Sequence, residues 1–245
     1  MSLVDEDARH GAKSDSKHFT GYKANIMKSD DGFVTNIIGT PGNTYDGNVL
    51  LPLVDEKTEN SSKPPKVNGD NHYGSAENRF QMLQRGITVV APIQKDSNPT
   101  GLLAQDKFIL DKTGVTCPAG NRTMISKYNE KEGTTIFYFK REICSQCVLK
   151  NKCTKQEGRT ITIGKHHDLV MEAKEYNKTQ DFKDDMKERA HIEPKNAEMK
   201  RFHGMARARY WGVTKVNVQF IITAIAVNVK RLANVIDSVC YLKKC

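Results

Sequence analysis

Residues 87–91 read Ile-Thr-Val-Val-Ala, a β-branched, uncharged run bounded by Gly86 and Pro92. A run of that length and branching predicts a strand buried inside a sheet, and it constrains the chain more than any other segment. The sequence around it alternates. Residues 75–85 carry Phe80, Met82 and Leu83 behind a start at Ser75 or Gly74, the pattern of a helix. Residues 66–69 predict a short strand ending at Asp70. Further upstream, residues 19–27 and 32–39 predict two strands joined by a turn at Ser29, Asp30, Asp31 and Gly32, since Asp-Gly between such runs favours a hairpin. Thr40, Pro41, Gly42 and Asn43 break the second strand, and Val49, Leu50, Leu53 and Val54 then recur at the spacing of a short amphipathic helix over 46–55. This order predicts an α/β fold with a mixed sheet flanked by helices.

The 245 residues suffice for one domain with an insertion or for two small domains. From Pro92 to residue 167 turn formers and cysteines accumulate, with one clear strand at 134–140, so this stretch reads as a cysteine-rich β insertion before the C-terminal helices. The expected division is a polar linker over 1–18, a main domain built from 19–91 and 168–238, and the insertion over 92–167. Helices are expected at 169–190, 194–203 and 215–238. Net charge is +9 and the pI about 9.2, which calls for an anionic partner, most commonly nucleic acid. The longest apolar stretch, 216–227, contains Asn217 and Gln219 and runs into Lys230 and Arg231. It is too short and too polar to span a bilayer and reads as a buried helix, so no membrane is expected. No signal peptide is visible, which together with six cysteines favours reduced thiols or metal ligands and a cytoplasmic protein.

Arg189, Glu193 and Lys200 stand four and seven residues apart, so a continuous helix would carry all three on one face. Pro194 disfavours helical geometry at Glu193 and puts it at a kink or at the start of a fresh helix. Read on spacing alone, Arg189 and Glu193 form an ordinary i,i+4 pair, and Asp70 is a turn or cap residue after its strand.

Taken together these motifs resemble bacterial insertion-sequence transposases of the DDE type. Their C-terminal signature, Tyr-x2-Arg-x3-Glu-x6-Lys, is matched at Arg189, Glu193 and Lys200, with Met186 in place of the tyrosine. Their second acidic motif, Asp-x2-Tyr after a strand, is matched by Asp70 and Tyr73, and Thr40 to Asp46 resembles the segment before it. The resemblance implies an RNase H-like fold and a catalytic set of Asp70, Glu193, Lys200 and Arg189. Asp70 and Glu193 would hold Mg²⁺ (or Mn²⁺), while Lys200 and Arg189 would hold phosphate or orient Glu193. It also implies cutting of transposon ends and joining of the 3′-hydroxyl to target DNA, with double-stranded DNA and a second copy of the chain as partners. Such a site takes a further Asp from an earlier central strand. Asp5 and Asp7 lie in a polar stretch resembling the linker after that strand, so the chain is expected to be a fragment with little or no strand-transfer activity alone.

Cys117 precedes a Pro-Ala-Gly turn, and Cys144, Cys147 and Cys153 follow the 134–140 strand. The Cys-x2-Cys pair with two further thiols suits tetrahedral Zn²⁺. The alternatives are cysteines that pack without metal, or a catalytic thiol, for which no His partner is evident. Lys195, Lys200, Arg201, Arg207, Arg209 and Lys215 are expected to bind the DNA backbone without reading sequence. Trp211 beside Tyr210 would either stack on a base or pack against the last helix. The rival to the transposase reading is a non-catalytic, zinc-stabilised nucleic-acid-binding protein derived from one.

Overall fold

The structure is a computed structural model describing residues 4–14, 16–60, 64–93, 100–111 and 113–242. The chain divides into two compact units, Met1–Pro92 with Tyr176–Cys245, and Ile93–Glu175.

The first unit opens with β1 (Arg9–Ser14), β2 (Lys17–Lys28) and β3 (Val34–Pro41), a three-stranded antiparallel sheet in that order. Arg9 lies opposite Gly21 in the first pairing, and Ile26 opposite Ile37 in the second. The hairpin between β2 and β3 closes at Gly32, whose φ of 85° is a conformation L side chains rarely adopt. A 3₁₀ turn at Asp46–Val49 leads into α1 (Leu50–Asn60). Then come β4 (Lys66–Asn68), α2 (Ala76–Gln84) and β5 (Thr88–Val90), a parallel pair joined through a helix, with Val67 opposite Val89. Ser75 caps α2 by accepting a hydrogen bond from the Asn78 amide.

The second unit consists of short antiparallel pieces. β6 (Ile109–Leu110), β7 (Val115–Thr116) and β8 (Arg122–Thr123) make one sheet, and β9 (Ser126–Asn129), β10 (Thr134–Tyr138) and a later strand, Thr160–Ile163, make another. The turns α3 (Arg141–Ser145) and α4 (Lys150–Cys153) precede that strand, β11, and α5 (His167–Tyr176) follows it. Phe108, Val115, Phe137, Phe139 and Ile161 form its core.

The chain then supplies the first unit with α6 (Gln180–Ala190), α7 (Ile192–Phe202) and the 30-residue α8 (Val213–Leu242). Two apolar clusters hold this unit together. One gathers Val34 and Ile37 of β3, Met199 of α7 and Val216, Phe220, Ala224 and Val227 of α8. The other gathers Leu50 and Val54 of α1, Met82 of α2, and Ile87, Val89 and Ala91. α8 and α1 both pack on β3. Two of the asparagines of α8 bond to the backbone of that strand: Asn217 accepts from the Gly39 amide, and Asn228 both donates to the Val34 carbonyl and accepts from its amide, each at 2.8 Å.

Four expectations are corrected. Residues 9–14 are a strand and not linker, ordered by backbone pairing that polar composition does not reveal. Just before it, Asp5 accepts from the Tyr22 hydroxyl at 2.7 Å and from the Gly212 amide at 3.2 Å, and Asp7 caps α8 by accepting from the Val213 amide at 2.9 Å. Hydrogen bonding yields a three-stranded antiparallel sheet and a separate parallel pair in place of one mixed sheet. The helix expected over 169–190 is two helices, because the Thr179 hydroxyl caps a new one at the Phe182 amide. Finally, α8 is buried on one face only. Residues 213–238 are long and apolar enough to cross a membrane by length and composition, yet the asparagines above tie the helix to β3.

Candidate active site

Asp70 stands where the parallel ladder of β4 and β5 ends, one residue after the last backbone bond from the Gly69 amide to the Val90 carbonyl at 2.9 Å. Its Oδ1 accepts from the His72 amide at 2.9 Å, and its carbonyl accepts from the Tyr73 amide at 3.2 Å, so the residue also makes the turn that the plain reading foresaw. A Cβ at Gly69 would lie 3.0 Å from the Tyr73 ring, which explains a glycine before the acid. α2 fixes the turn from beneath. Asn78 donates to the Tyr73 carbonyl at 3.1 Å and to the Gly47 carbonyl at 2.8 Å. The buried Arg79 guanidinium donates to the carbonyls of Gly74, Val89 and Ala91 at 3.0, 2.8 and 2.9 Å. Burial lowers its pKa from an ordinary value so high that the group stays charged. The Tyr73 hydroxyl is held above its ordinary value by burial, then by the carboxylates of Asp46 and Asp70.

Glu193 arrives from the other end of the chain. α6 ends at Ala190, α7 starts at Ile192, and Glu193 with Pro194 falls in its first turn, a fresh helix start. Arg189 Nη1 stands 3.7 Å from Glu193 Oε1 across the break, and the Glu193 side chain is 69% exposed. α6 is fastened to β4 through Asp185, which the sequence reading passed over. Its carboxylate accepts from Lys66 and, at 2.7 Å, from the Tyr176 hydroxyl, while its carbonyl accepts from the Asn68 side chain at 3.1 Å. Burial works against the Asp185 charge, but the bonds from Lys66 and Tyr176 outweigh it and hold the carboxyl below its usual range. The Asp185 bond in turn pushes Tyr176 up to about 12.

One open cleft of about 950 Å³ is lined by Asp70, Glu193, Arg189, Lys200 and Arg207, with Asp46, Lys23 and Asn196 around them. Asp46 is paired with Lys23 at 2.9 Å. A second cavity of about 290 Å³ shares Asn68, Gly69, Tyr73, Arg189 and Ile192 with the first and continues past Met27 and Lys28 of β2 and Pro65 and Lys66 at β4. The two make a groove between the edges of β2 and β4. Among the described residues, no group of three or more His, Cys, Asp or Glu that could hold a metal ion is assembled.

The expected DNA-binding residues fall into different settings. Lys200 and Arg207 line the cleft, and Arg201, Arg209 and Lys215 are exposed elsewhere on the unit. Lys195 is turned away. Its side chain, only 15% exposed, pairs with Glu198 at 3.0 Å, which also takes Lys230 at 2.9 Å. The loop carrying Arg207 and Arg209 is organised by Gln219 of α8, which in the sequence stands out only as polarity within an apolar stretch. It donates to the carbonyls of Gly204 and Arg207 at 3.2 and 3.0 Å and accepts from the Arg209 amide at 2.9 Å. Tyr210 and Trp211 are 53% and 68% exposed, so neither is consumed in packing against the last helix.

In the second unit Cys117, Cys144, Cys147 and Cys153 all line one small cavity, with Phe108, Phe139 and Arg159. The four thiols are free. Burial pushes the Cys153 thiol up, Arg159 draws it down, and Cys144, Cys117 and Cys147 push it up further, but among the described residues the four are not grouped as metal ligands.

Compared with known families, residues 116–233 match the model of the transposase DDE domain, so this stretch is similar to the C-terminal portion of a DDE-type transposase. The matched stretch includes Glu193, Lys200 and the four cysteines; Asp70 lies outside it. A DDE transposase domain implies transposase function, a DNA substrate and use of a divalent metal. No curated protein and no solved structure matches the chain.

Proposed function

We propose that the cleft of the first unit carries the phosphoryl-transfer chemistry of a DNA transposase, cutting transposon ends and joining the freed 3′-hydroxyl to target DNA. The observation behind this reading is that one cleft is lined by Asp70 and Glu193, remote in sequence, with Arg189 and Lys200 beside them. Two hard carboxylates suit Mg²⁺ or Mn²⁺, which retain several water ligands and need few protein groups. When bound, such ions activate the attacking oxygen and neutralise charge on the leaving one. Asp70, with one oxygen engaged by the His72 amide, and Glu193, exposed in a helix's first turn, would hold the cation. Lys200 and Arg189 would hold the scissile phosphate, and Arg207, Arg209, Arg201 and Lys215 the flanking backbone.

On this reading the fold is RNase H-like and the site needs a third acid, which the described residues do not group with Asp70 and Glu193. Asp46 is already neutralised by Lys23. The cysteine-lined cavity is read as a structural zinc site inserted between Asp70 and Glu193, with Cys117, Cys144, Cys147 and Cys153 as ligands once the thiols turn inward together. The non-catalytic DNA-binding alternative is favoured by a single observation, the lack of a third grouped acid among the described residues.

The test is binding and nicking of supercoiled DNA in Mg²⁺ and in Mn²⁺. The expected result is salt-sensitive binding, weakened in Lys200→Ala and Arg207→Ala, with little nicking by this chain alone. Nicking abolished by Asp70→Ala would show the acid set to be complete and overturn the fragment reading. Failure to bind DNA would overturn the proposal as a whole.

A further inference from the structure

We propose that the loop between α7 and α8 is a binding site for unpaired nucleotides, with Trp211 stacking on a base and Arg207 and Arg209 holding the phosphates beside it. An open cavity of about 580 Å³ is lined by Gly204, Ala206, Arg207, Ala208, Arg209 and Trp211, so its wall carries two guanidinium groups, an indole and no acid. Ala206, Arg207 and Ala208 also line the cleft that holds Asp70 and Glu193, and the two spaces therefore adjoin.

A single exposed aromatic is ordinary on a protein surface and carries no function by itself. Here Tyr210 and Trp211 stand side by side, 53% and 68% exposed, on a loop that is fixed at its start, middle and end. At the start Met205 is buried, and its amide donates to the Met199 carbonyl at 3.2 Å. In the middle Gln219 engages the Gly204 and Arg207 carbonyls and the Arg209 amide. At the end the Gly212 amide, in a turn with φ of 86°, donates to Asp5 Oδ1 at 3.2 Å and to the Tyr22 hydroxyl oxygen at 3.1 Å. Arg209 is placed as well, since a Cβ at Gly204 would lie 3.1 Å from its Nη2. The rings are thus presented by an ordered backbone, which loses little freedom when a ligand settles on it.

The class of ligand follows from the chemistry of the wall. An indole offers a flat apolar face that any base can stack on, and guanidinium groups meet phosphate oxygens with paired hydrogen bonds. Within a duplex the base faces are already covered by their neighbours, so only unpaired nucleotides can use the ring. An anionic bilayer also accepts aromatic rings flanked by arginine. The wall shared with the cleft favours a nucleic-acid strand that enters both spaces.

This inference rests on the reading that the chain binds DNA, and adds that a strand beside the cleft is held with its bases unpaired. Trp211 is the only tryptophan, so its emission reports the site directly. The probes are a short blunt duplex and the same duplex forked at one end by unpaired thymidines. The forked duplex is expected to quench Trp211 and to bind about 10-fold tighter than the blunt one. Trp211→Ala is expected to erase that preference and Trp211→Phe to keep most of it. Tyr128→Ala, at an exposed ring of the second unit, is expected to leave it unchanged. Equal binding of both duplexes without quenching, or a fork preference that survives in Trp211→Ala, would overturn this inference and leave the DNA-binding reading standing. Binding of neither duplex would overturn both. Quenching by phosphatidylserine vesicles and not by the forked duplex would overturn it in favour of a membrane surface.

Discussion

Replacing Arg79 by methionine keeps most of the side-chain volume and removes three charge-assisted hydrogen bonds, to the carbonyls of Gly74, Val89 and Ala91. Each carbonyl left dry costs about 1–3 kcal/mol, and the variant recovers part of this because a buried guanidinium no longer has to be desolvated. A net loss of about 3 kcal/mol follows, a large share of the roughly 5–15 kcal/mol that holds a domain. With a urea slope of about 2 kcal/mol per M, the midpoint should fall by roughly 1.5 M. Trp211 is the only tryptophan and lies in the first unit, so its fluorescence follows that unit's unfolding separately from the second. The loss should be local as well: amide exchange at His72 and Tyr73, in the turn carrying Asp70, should quicken before global unfolding. Arg79→Lys keeps the charge but cannot reach three carbonyls and should fall between. A midpoint shift below about 0.3 M in Arg79→Met would refute the claim that this guanidinium braces the acid's turn.

Other outcomes are expected from the same geometry. Asp185 and Glu198 sit below the ordinary carboxyl range, Glu198 through its bonds to Lys230 and Lys195 against the effect of burial. Their stabilisation is therefore complete above about pH 5 and lost as pH falls through the lower folded-state values, and Glu198→Gln should flatten the acid limb of a stability–pH curve. If the four cysteines take zinc, one ion per chain should bind, affinity should rise with pH as thiols deprotonate, and Cys144→Ser should loosen residues 93–175 in hydrogen exchange without altering the Trp211 transition. For DNA binding, Arg207→Ala should reduce the slope of log affinity against log salt by about 1, whereas Lys195→Ala, already paired with Glu198, should leave it unchanged.

The elements legible from sequence are those whose signal is local. Hydrophobic periodicity and turn chemistry located the β2–β3 hairpin, α2 with its start at Gly74 or Ser75, the buried strand at 88–90 and the break before Glu193, which the structure resolves to a Ser75 cap and a fresh helix. The residues that brace the site were not legible, because their partners are distant. Arg79 and Asn78 look like surface positions of a short helix until the carbonyls they meet are known. Asp185 looks like one acid in a charged helix, yet it fastens α6 to β4. Asp7 caps a helix that begins 206 positions later. Gln219 was read as polarity spoiling a membrane span, when it shapes the arginine loop. The exposed apolar face of α8 was missed for a related reason: an all-round apolar helix reads as buried, and only the packing shows that one face is left over.

Loading the chain with Fe²⁺ and mapping where hydroxyl radicals cut its own backbone tests whether Asp70 and Glu193 share a cation. A shared cation predicts two clusters of cuts, one beside Asp70 and one beside Glu193, both suppressed by excess Mg²⁺ and both lost together in Asp70→Ala. Cuts confined to one of the two segments, or unaffected by Mg²⁺, would contradict it.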